Sequence, residues 1–137
     1  MRIKHKLIIP WLPVGAWCVL IFVQSAFAAP DIGPDWPCLD KLAHLGIYGL
    51  LAVLLCRGLA AHARWQGRPL KLVMAATILT ALYGLSDEWH QSFVPARTAD
   101  VADWLADLTG GVLGCGAYLL IRKARSLRAG RHSFPVN

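Results

Sequence analysis

The chain has 137 residues and a formal net charge of +6, with 56% hydrophobic and only 16% charged residues. That length holds one domain, and that apolar share is too high for a soluble domain with a charged surface. The net positive charge does not mark a nucleic-acid binder, because the basic residues sit beside apolar segments and not on a soluble face.

A bilayer core takes about twenty mostly apolar residues in a helix, and four stretches approach that length. The first runs from Leu7 to Ala28. Its Pro10 and Pro13 fall early, where a missing amide donor costs little. Ala26-Phe27-Ala28 after a basic start and an apolar run also resembles a signal-peptide cleavage site. The length of the run and the bulk of Trp11 and Trp17 favour a retained span. The second stretch runs from Leu39 to Cys56, the third from Leu70 to Trp89 and the fourth from Val101 to Ile121. The expected fold is an all-α, integral membrane four-helix bundle. Residues 1–122 form the four-span domain, and residues 123–137 form a basic cytoplasmic tail that reads as frayed.

The connections alternate in charge. The N-terminus carries Arg2, Lys4 and Lys6; the middle connection carries Arg57, Arg64, Arg68 and Lys71; the tail carries Arg122, Lys123, Arg125, Arg128 and Arg131. Basic connections stay in the cytoplasm. Both termini are therefore expected there, in a multi-pass protein of the inner (cytoplasmic) membrane. All eight acids, namely Asp31, Asp35, Asp40, Asp87, Glu88, Asp100, Asp103 and Asp107, fall on the other side, with only Lys41 and Arg97 for company. The positive-inside rule does not sort acids, so their segregation points to a functional outer site.

Helical phase, at about 100° per residue, sorts these residues further. Asp40, Lys41, His44 and Tyr48 share one face of the second span. Thr77, Thr80, Gly84, Asp87, Glu88 and Gln91 share one face of the third. Asp100, Asp103, Asp107, Gly110, Gly111 and Gly114 share one face of the fourth. A charge at the bilayer centre costs about 2.5–3.5 kcal/mol on insertion scales, so such stripes turn inward. A polar chamber enclosed by these three spans is expected, with Gly110 and Gly114 allowing close helix contact below it. Several members have structural readings. Asp40 and Asp100 read as helix N-caps, and Asp100 with Asp103 as a capping box. Trp36, Trp89 and Trp104 read as interface anchors, and His90 as an interfacial residue off the stripe. His44 and Asp107 lie about 8–9 Å inside their spans at 1.5 Å per residue, too deep to cap a helix, and are expected to pair.

The four cysteines at 18, 38, 56 and 115 show no CxxC spacing, so no zinc site, redox motif or disulfide framework is expected. Cys18, Cys56 and Cys115 lie in apolar runs and read as small hydrophobes; Cys38 faces outward with no evident partner.

Asp40-Lys41-Leu42-Ala43-His44, followed by Tyr48, resembles the DKxxHxxxY opening of the VanZ-like membrane proteins. Glu88-Trp89-His90-Gln91, Pro95-Ala96-Arg97 and Asp103 resemble the ExxQ, PxR and D elements that follow in that family, and Gly110 and Gly114 match its later glycines. The resemblance covers residues 36–121. This chain departs from it in two places: Asp107 stands where the family commonly has Asn, and Ala96 where Gly is usual. The family takes its name from a protein linked to teicoplanin resistance, and most members have no assigned activity. The resemblance singles out Asp40, Lys41, His44, Tyr48, Glu88, Gln91, Arg97 and Asp103.

The functional expectation is an envelope protein whose outward chamber binds an amphiphilic anionic ligand, a lipid-linked cell-wall precursor or a phospholipid headgroup, in glycopeptide resistance or envelope maintenance. Lys41 and Arg97 would grip the anion; Asp40, Tyr48, Asp87, Gln91 and Asp107 would complete the binding set. The alternatives are a hydrolase or transferase on such a lipid, with Glu88, His44 and Asp103 as acid and base groups, and a structural subunit of a membrane complex. Ser86 and Ser92 sit in no nucleophile setting. The expected partners are the bilayer and that lipid or precursor, with no nucleic acid. No cofactor is expected. A metal on His44, Asp87, Glu88 and Asp103 is not assigned, because Lys41 and Arg97 already offer the acids positive partners.

Overall fold

The structure is a computed structural model that describes residues 8–27, 37–95 and 97–131. The expectations for Asp31, Asp35, Trp36 and Ala28, and for the side chain of Cys38, lie outside the described residues. Among those described, every regular element is helical. A 3-10 turn, Ile9–Trp11, leads into α1, Leu12–Ser25; α2 is Pro37–Ala60; a second 3-10 turn is Ala63–Trp65; α3 is Pro69–Gln91; α4 is Val101–Arg131. This is the four-helix bundle expected. Proline opens α3 at Pro69, where no amide donor is missed. Gly67 just before it takes φ +73, a left-handed conformation that turns the chain and that a side chain would strain.

Three helices, α2, α3 and α4, are long and apolar enough to cross a membrane. The first is shorter than its apolar run suggested, spanning Ile9–Ser25 with its entry turn. The fourth is longer. It was expected to end near Ile121 in a frayed tail, yet it stays helical through Arg131. Lys123, Ala124, Arg125, Leu127, Arg128 and Ala129 are good helix formers, and their positive charges suit the negative end of the helix dipole. The outer surface of the bundle is apolar: Leu82, Leu85, Val112, Leu113 and Leu120 are all more than half exposed. Polar groups lie inside and at the two ends. That inverted distribution is the one a lipid solvent selects.

Helices α2 and α4 make the tightest pair. A Cβ on Gly110 would overlap the Leu45 carbonyl, and one on Gly114 would overlap the Gly49 carbonyl. The expected packing role of these glycines is met, and it is backbone against backbone. Below this contact the core is built from Leu51, Ala52, Leu55, Leu59, Leu72 and Ala76. Cys56 of α2 and Cys115 of α4 meet there with their sulfurs 3.4 Å apart, both as free thiols.

The apolar α1 docks through the polar tips of its own and neighbouring aromatics. Trp17 Nε1 donates to the Ile47 carbonyl at 3.0 Å, and Tyr83 hydroxyl donates to the Cys18 carbonyl at 2.6 Å. At the other end of α1, Trp11 Nε1 donates to His62 Nε2 at 2.9 Å while its ring lies against Gly58. Each such bond ties a half-buried donor to an acceptor that lipid does not supply.

Overpacking of a closed contact costs about 1–3 kcal/mol or more. Gly114→Val is therefore expected to lower the thermal unfolding midpoint of the detergent-purified protein by several degrees. Gly116→Val, which meets open space, is expected to leave it unchanged. Equal midpoints for the two variants would remove the close α2–α4 contact as a source of stability.

Candidate functional site

The end of α1, the start of α2, the end of α3 and the start of α4 converge at one end of the bundle. Asp100 caps α4, and its Oδ1 accepts the Ala102 amide at 2.8 Å. The expected capping box is only half formed. Its return bond would come from the Asp103 carboxylate, but the Asp100 amide is taken by Glu88 Oε2 of α3 at 2.9 Å. Asp103 instead accepts from Lys41 Nζ of α2 at 2.7 Å, and Lys41 also reaches Asp100 Oδ2 at 3.2 Å. The Ala102 amide, and after it the Lys41 ammonium, hold the Asp100 carboxyl below the usual carboxylate range.

One turn deeper, His44 Nδ1 of α2 lies 2.9 Å from Asp107 Oδ1 of α4. This is the pair expected from matching depth. Asp107 is wholly buried, and Gly84 of α3 makes room for it: a Cβ there would lie 2.6 Å from Asp107 Oδ2. On the side facing α1, the Tyr48 hydroxyl donates to Asp87 Oδ2 at 2.8 Å, and Gln91 Nε2 donates to the same oxygen at 3.0 Å. Arg97, on the connection between α3 and α4, donates from Nη1 to Gln91 Oε1 at 3.2 Å and from Nε to the Phe27 carbonyl of the segment after α1 at 3.0 Å.

The three stripes therefore do turn inward, but they do not enclose a chamber among themselves. They interlock. A cavity of about 300 Å³ lies between them and α1. Asp40, His44 and Tyr48 of α2, Asp87 and Gln91 of α3, and Arg97 line one side of it. Ile21, Gln24, Ser25 and Phe27 line the other, and α4 contributes nothing. Lys41, Glu88, Asp103 and Asp107, all expected in the ligand or acid–base set, lie off this cavity. Lys41 is committed to Asp100 and Asp103.

The other residues singled out in the sequence are placed as follows. Asp40 is not an N-cap, because α2 begins three residues earlier at Pro37; it is exposed at the cavity mouth. Trp89 is exposed as an anchor would be, but Trp104 ties α4 to α3 by donating to the Ala81 carbonyl at 3.0 Å. His90 stacks on Phe22 of α1 with ring centres 4.4 Å apart. The hydroxyls of Ser86 and Ser92 donate back to the Tyr83 and Trp89 carbonyls of their own helix and are exposed. The contribution of α1 went unread. Gln24 and Ser25, the polar pair closing its apolar run, were the available signal. The Phe27 carbonyl that receives Arg97 leaves no trace in residue type.

Chemically the cavity is amphiphilic, with apolar side chains of α1 facing hydrogen-bonding groups of α2 and α3. Arg97 is its one strong cation, and both of its partners are neutral. Among the described residues no carboxylate lies within 4.0 Å of it; the ion pairs there are Lys41 with Asp100 and Asp103, and His44 with Asp107.

A buried acceptor that loses a donor costs about 1–3 kcal/mol, so Tyr48→Phe is expected to destabilise the protein by that amount in thermal or denaturant unfolding. The lowered Asp100 carboxyl stabilises the fold above the ordinary carboxylate pKa of about 3.9. That contribution is lost as pH falls through the lower folded value. Asn caps helices about as well as Asp but loses the ion pair with Lys41, so Asp100→Asn is expected to lower stability slightly near neutrality and to shrink its loss as pH falls below about 4, read as melting midpoint against pH. An unchanged acid limb would assign it to other groups.

A sequence model of the family described as VanZ/LLP1 matches residues 9–122, from the turn before α1 into the basic turns of α4. Neither the curated proteins nor the solved structures include a significant match.

Proposed function

The chain belongs to the VanZ/LLP1 family, and from that membership we propose that it binds the anionic headgroup of an amphiphile in the cavity between α1 and the polar stripes. It is a membrane protein with three helices able to span the bilayer. Basic residues gather at the opposite end of the bundle from the cavity, in the 57–71 connection and the last turns of α4. By the positive-inside rule that end is cytoplasmic, in the inner membrane, and the cavity opens to the outer side. The ligand class is then a lipid-linked cell-wall precursor or a phospholipid headgroup, and the role is envelope maintenance.

One observation carries the reading: Arg97 lines a half-apolar cavity, and among the described residues no carboxylate lies within 4.0 Å of it. A guanidinium held by two neutral acceptors keeps its full charge, and its planar fork suits phosphate. Gln91 and His44 supply further polar contacts beside it, and Phe27, Ile21 and Ile47 offer surface to an acyl or prenyl chain. Lys41 is not part of this grip, since its charge is shared with Asp100 and Asp103.

The test titrates the protein in nanodiscs of phosphatidylcholine with a short-chain polyprenyl phosphate and, separately, with phosphatidylglycerol. Saturable binding is expected for at least one of them, weakened tenfold or more by Arg97→Gln and partly restored by Arg97→Lys. Equal binding by wild type and Arg97→Gln, or no preference over added phosphatidylcholine, would refute the proposal.

A further inference from the structure

The interior of the polar end carries more negative than positive charge. Lys41 neutralises Asp100 and Asp103, and Arg97 pairs with no acid. Glu88 and Asp107 are thus left without a Lys or Arg partner among the described residues, although Glu88 is 5% exposed and Asp107 0%. Each also holds one oxygen with no hydrogen-bond partner, Glu88 Oε1 and Asp107 Oδ2. A buried carboxylate oxygen without a donor or a cation is costly. Two of them at one place mark a position where a positive group is wanted.

His44 completes that place. His44, Glu88 and Asp107 each offer one donor atom, and the three atoms lie within 4.8 Å of one another. Donors about 2.0–2.2 Å from a common metal lie roughly 3–4.4 Å apart, so the spacing suits a shared ion after small adjustments. The site is held from three helices. His44 comes from α2, Glu88 from α3 beside the α4 cap it bonds, and Asp107 from α4 against the bare backbone of Gly84. His44 also lines the cavity, which gives an ion a route inward. A second group, Asp40, His44 and Asp103, meets the same spacing. There Asp103 is already bound to Lys41 and Asp40 is exposed, so it has no unmet demand for charge.

We propose that His44, Glu88 and Asp107 bind one divalent transition cation, Mn²⁺ or Zn²⁺. One imidazole nitrogen with two carboxylate oxygens fits these ions better than Mg²⁺ or Ca²⁺, which favour all-oxygen sets. Three protein ligands leave coordination positions open to water or to a ligand oxygen. The site stands on its own geometry and does not depend on the anionic ligand.

The experiment uses the full chain purified in detergent, stripped with EDTA, desalted and titrated with Mn²⁺ and with Zn²⁺ by calorimetry, with electron paramagnetic resonance of the bound Mn²⁺. One ion per chain is expected, together with a rise in melting midpoint on adding it. Asp107→Asn and Glu88→Gln are each expected to weaken binding tenfold or more and to abolish that rise. Their metal-free midpoints should match or exceed wild type, since a buried charge has been removed. Asp100→Asn, a cap residue outside the trio, is expected to bind within about twofold of wild type. If a trio variant fails to accumulate, the stoichiometry and midpoint shift of the wild type decide. No retained ion and no shift would overturn the proposal and leave protons to neutralise the acids. Equal weakening by Asp100→Asn and Asp107→Asn would overturn it too, showing diffuse attraction and no site.

Discussion

Backbone contact between α2 and α4 is the constraint from which the polar end follows. Gly49, Gly110 and Gly114 bring the two helices together at a separation that side chains would not permit. Leu45 meets Gly110, so His44, one residue earlier on α2, and Asp107, one turn earlier on α4, stand opposite each other at hydrogen-bond distance. One turn further on, Lys41 stands opposite Asp103. The ladder of ionic contacts is a readout of helix register, and the register is set where there are no side chains.

With α2 and α4 joined, α3 closes over them. Gly84 accepts Asp107, Thr80 packs on Gly111, and Glu88 reaches across to the first amide of the α4 cap. These contacts use up the space in which a chamber would form. On the other side lies the gap under α1, a helix with no charged side chain over Leu12–Ser25. The division of labour follows. Three helices hold the charges in a fixed lattice, and the fourth supplies an apolar wall across a cavity. Arg97 spans the two parts by donating to Phe27 and to Gln91.

Helical phase made most of this legible in sequence. Asp103, Asp107, Gly110, Gly111 and Gly114 share a face whatever their neighbours are, and Asp87, Glu88 and Gln91 do likewise. Matching depth was enough to pair His44 with Asp107. Phase and depth do not say which partner wins when several are in reach. Lys41 chose Asp103 and Asp100, and Arg97 chose a backbone carbonyl and an amide, because the connection carrying Arg97 places it over α1 and not over the acids. The contact between Cys56 and Cys115 was hidden for the same reason: it depends on the rotation of two helices far apart in sequence. The extension of α4 was hidden by its charges, which read as tail but are compatible with helix.

That extension affects how the molecule sits in its solvent. A helix of 31 residues is about 46 Å long at 1.5 Å per residue, some 15 Å more than a typical hydrocarbon core. A free helix of that length would relieve the mismatch by tilting or by sliding along the bilayer normal. Here sliding is blocked, because Asp103 and Asp107 are fastened to α2 at one end. The surplus is the basic turns at the other end, and Arg122, Lys123, Arg125 and Arg128 there are side chains suited to anionic headgroups. Helix α4 thereby acts as a depth gauge: a bilayer a few ångströms thicker or thinner would raise or lower the cavity mouth relative to the lipid headgroups beside it.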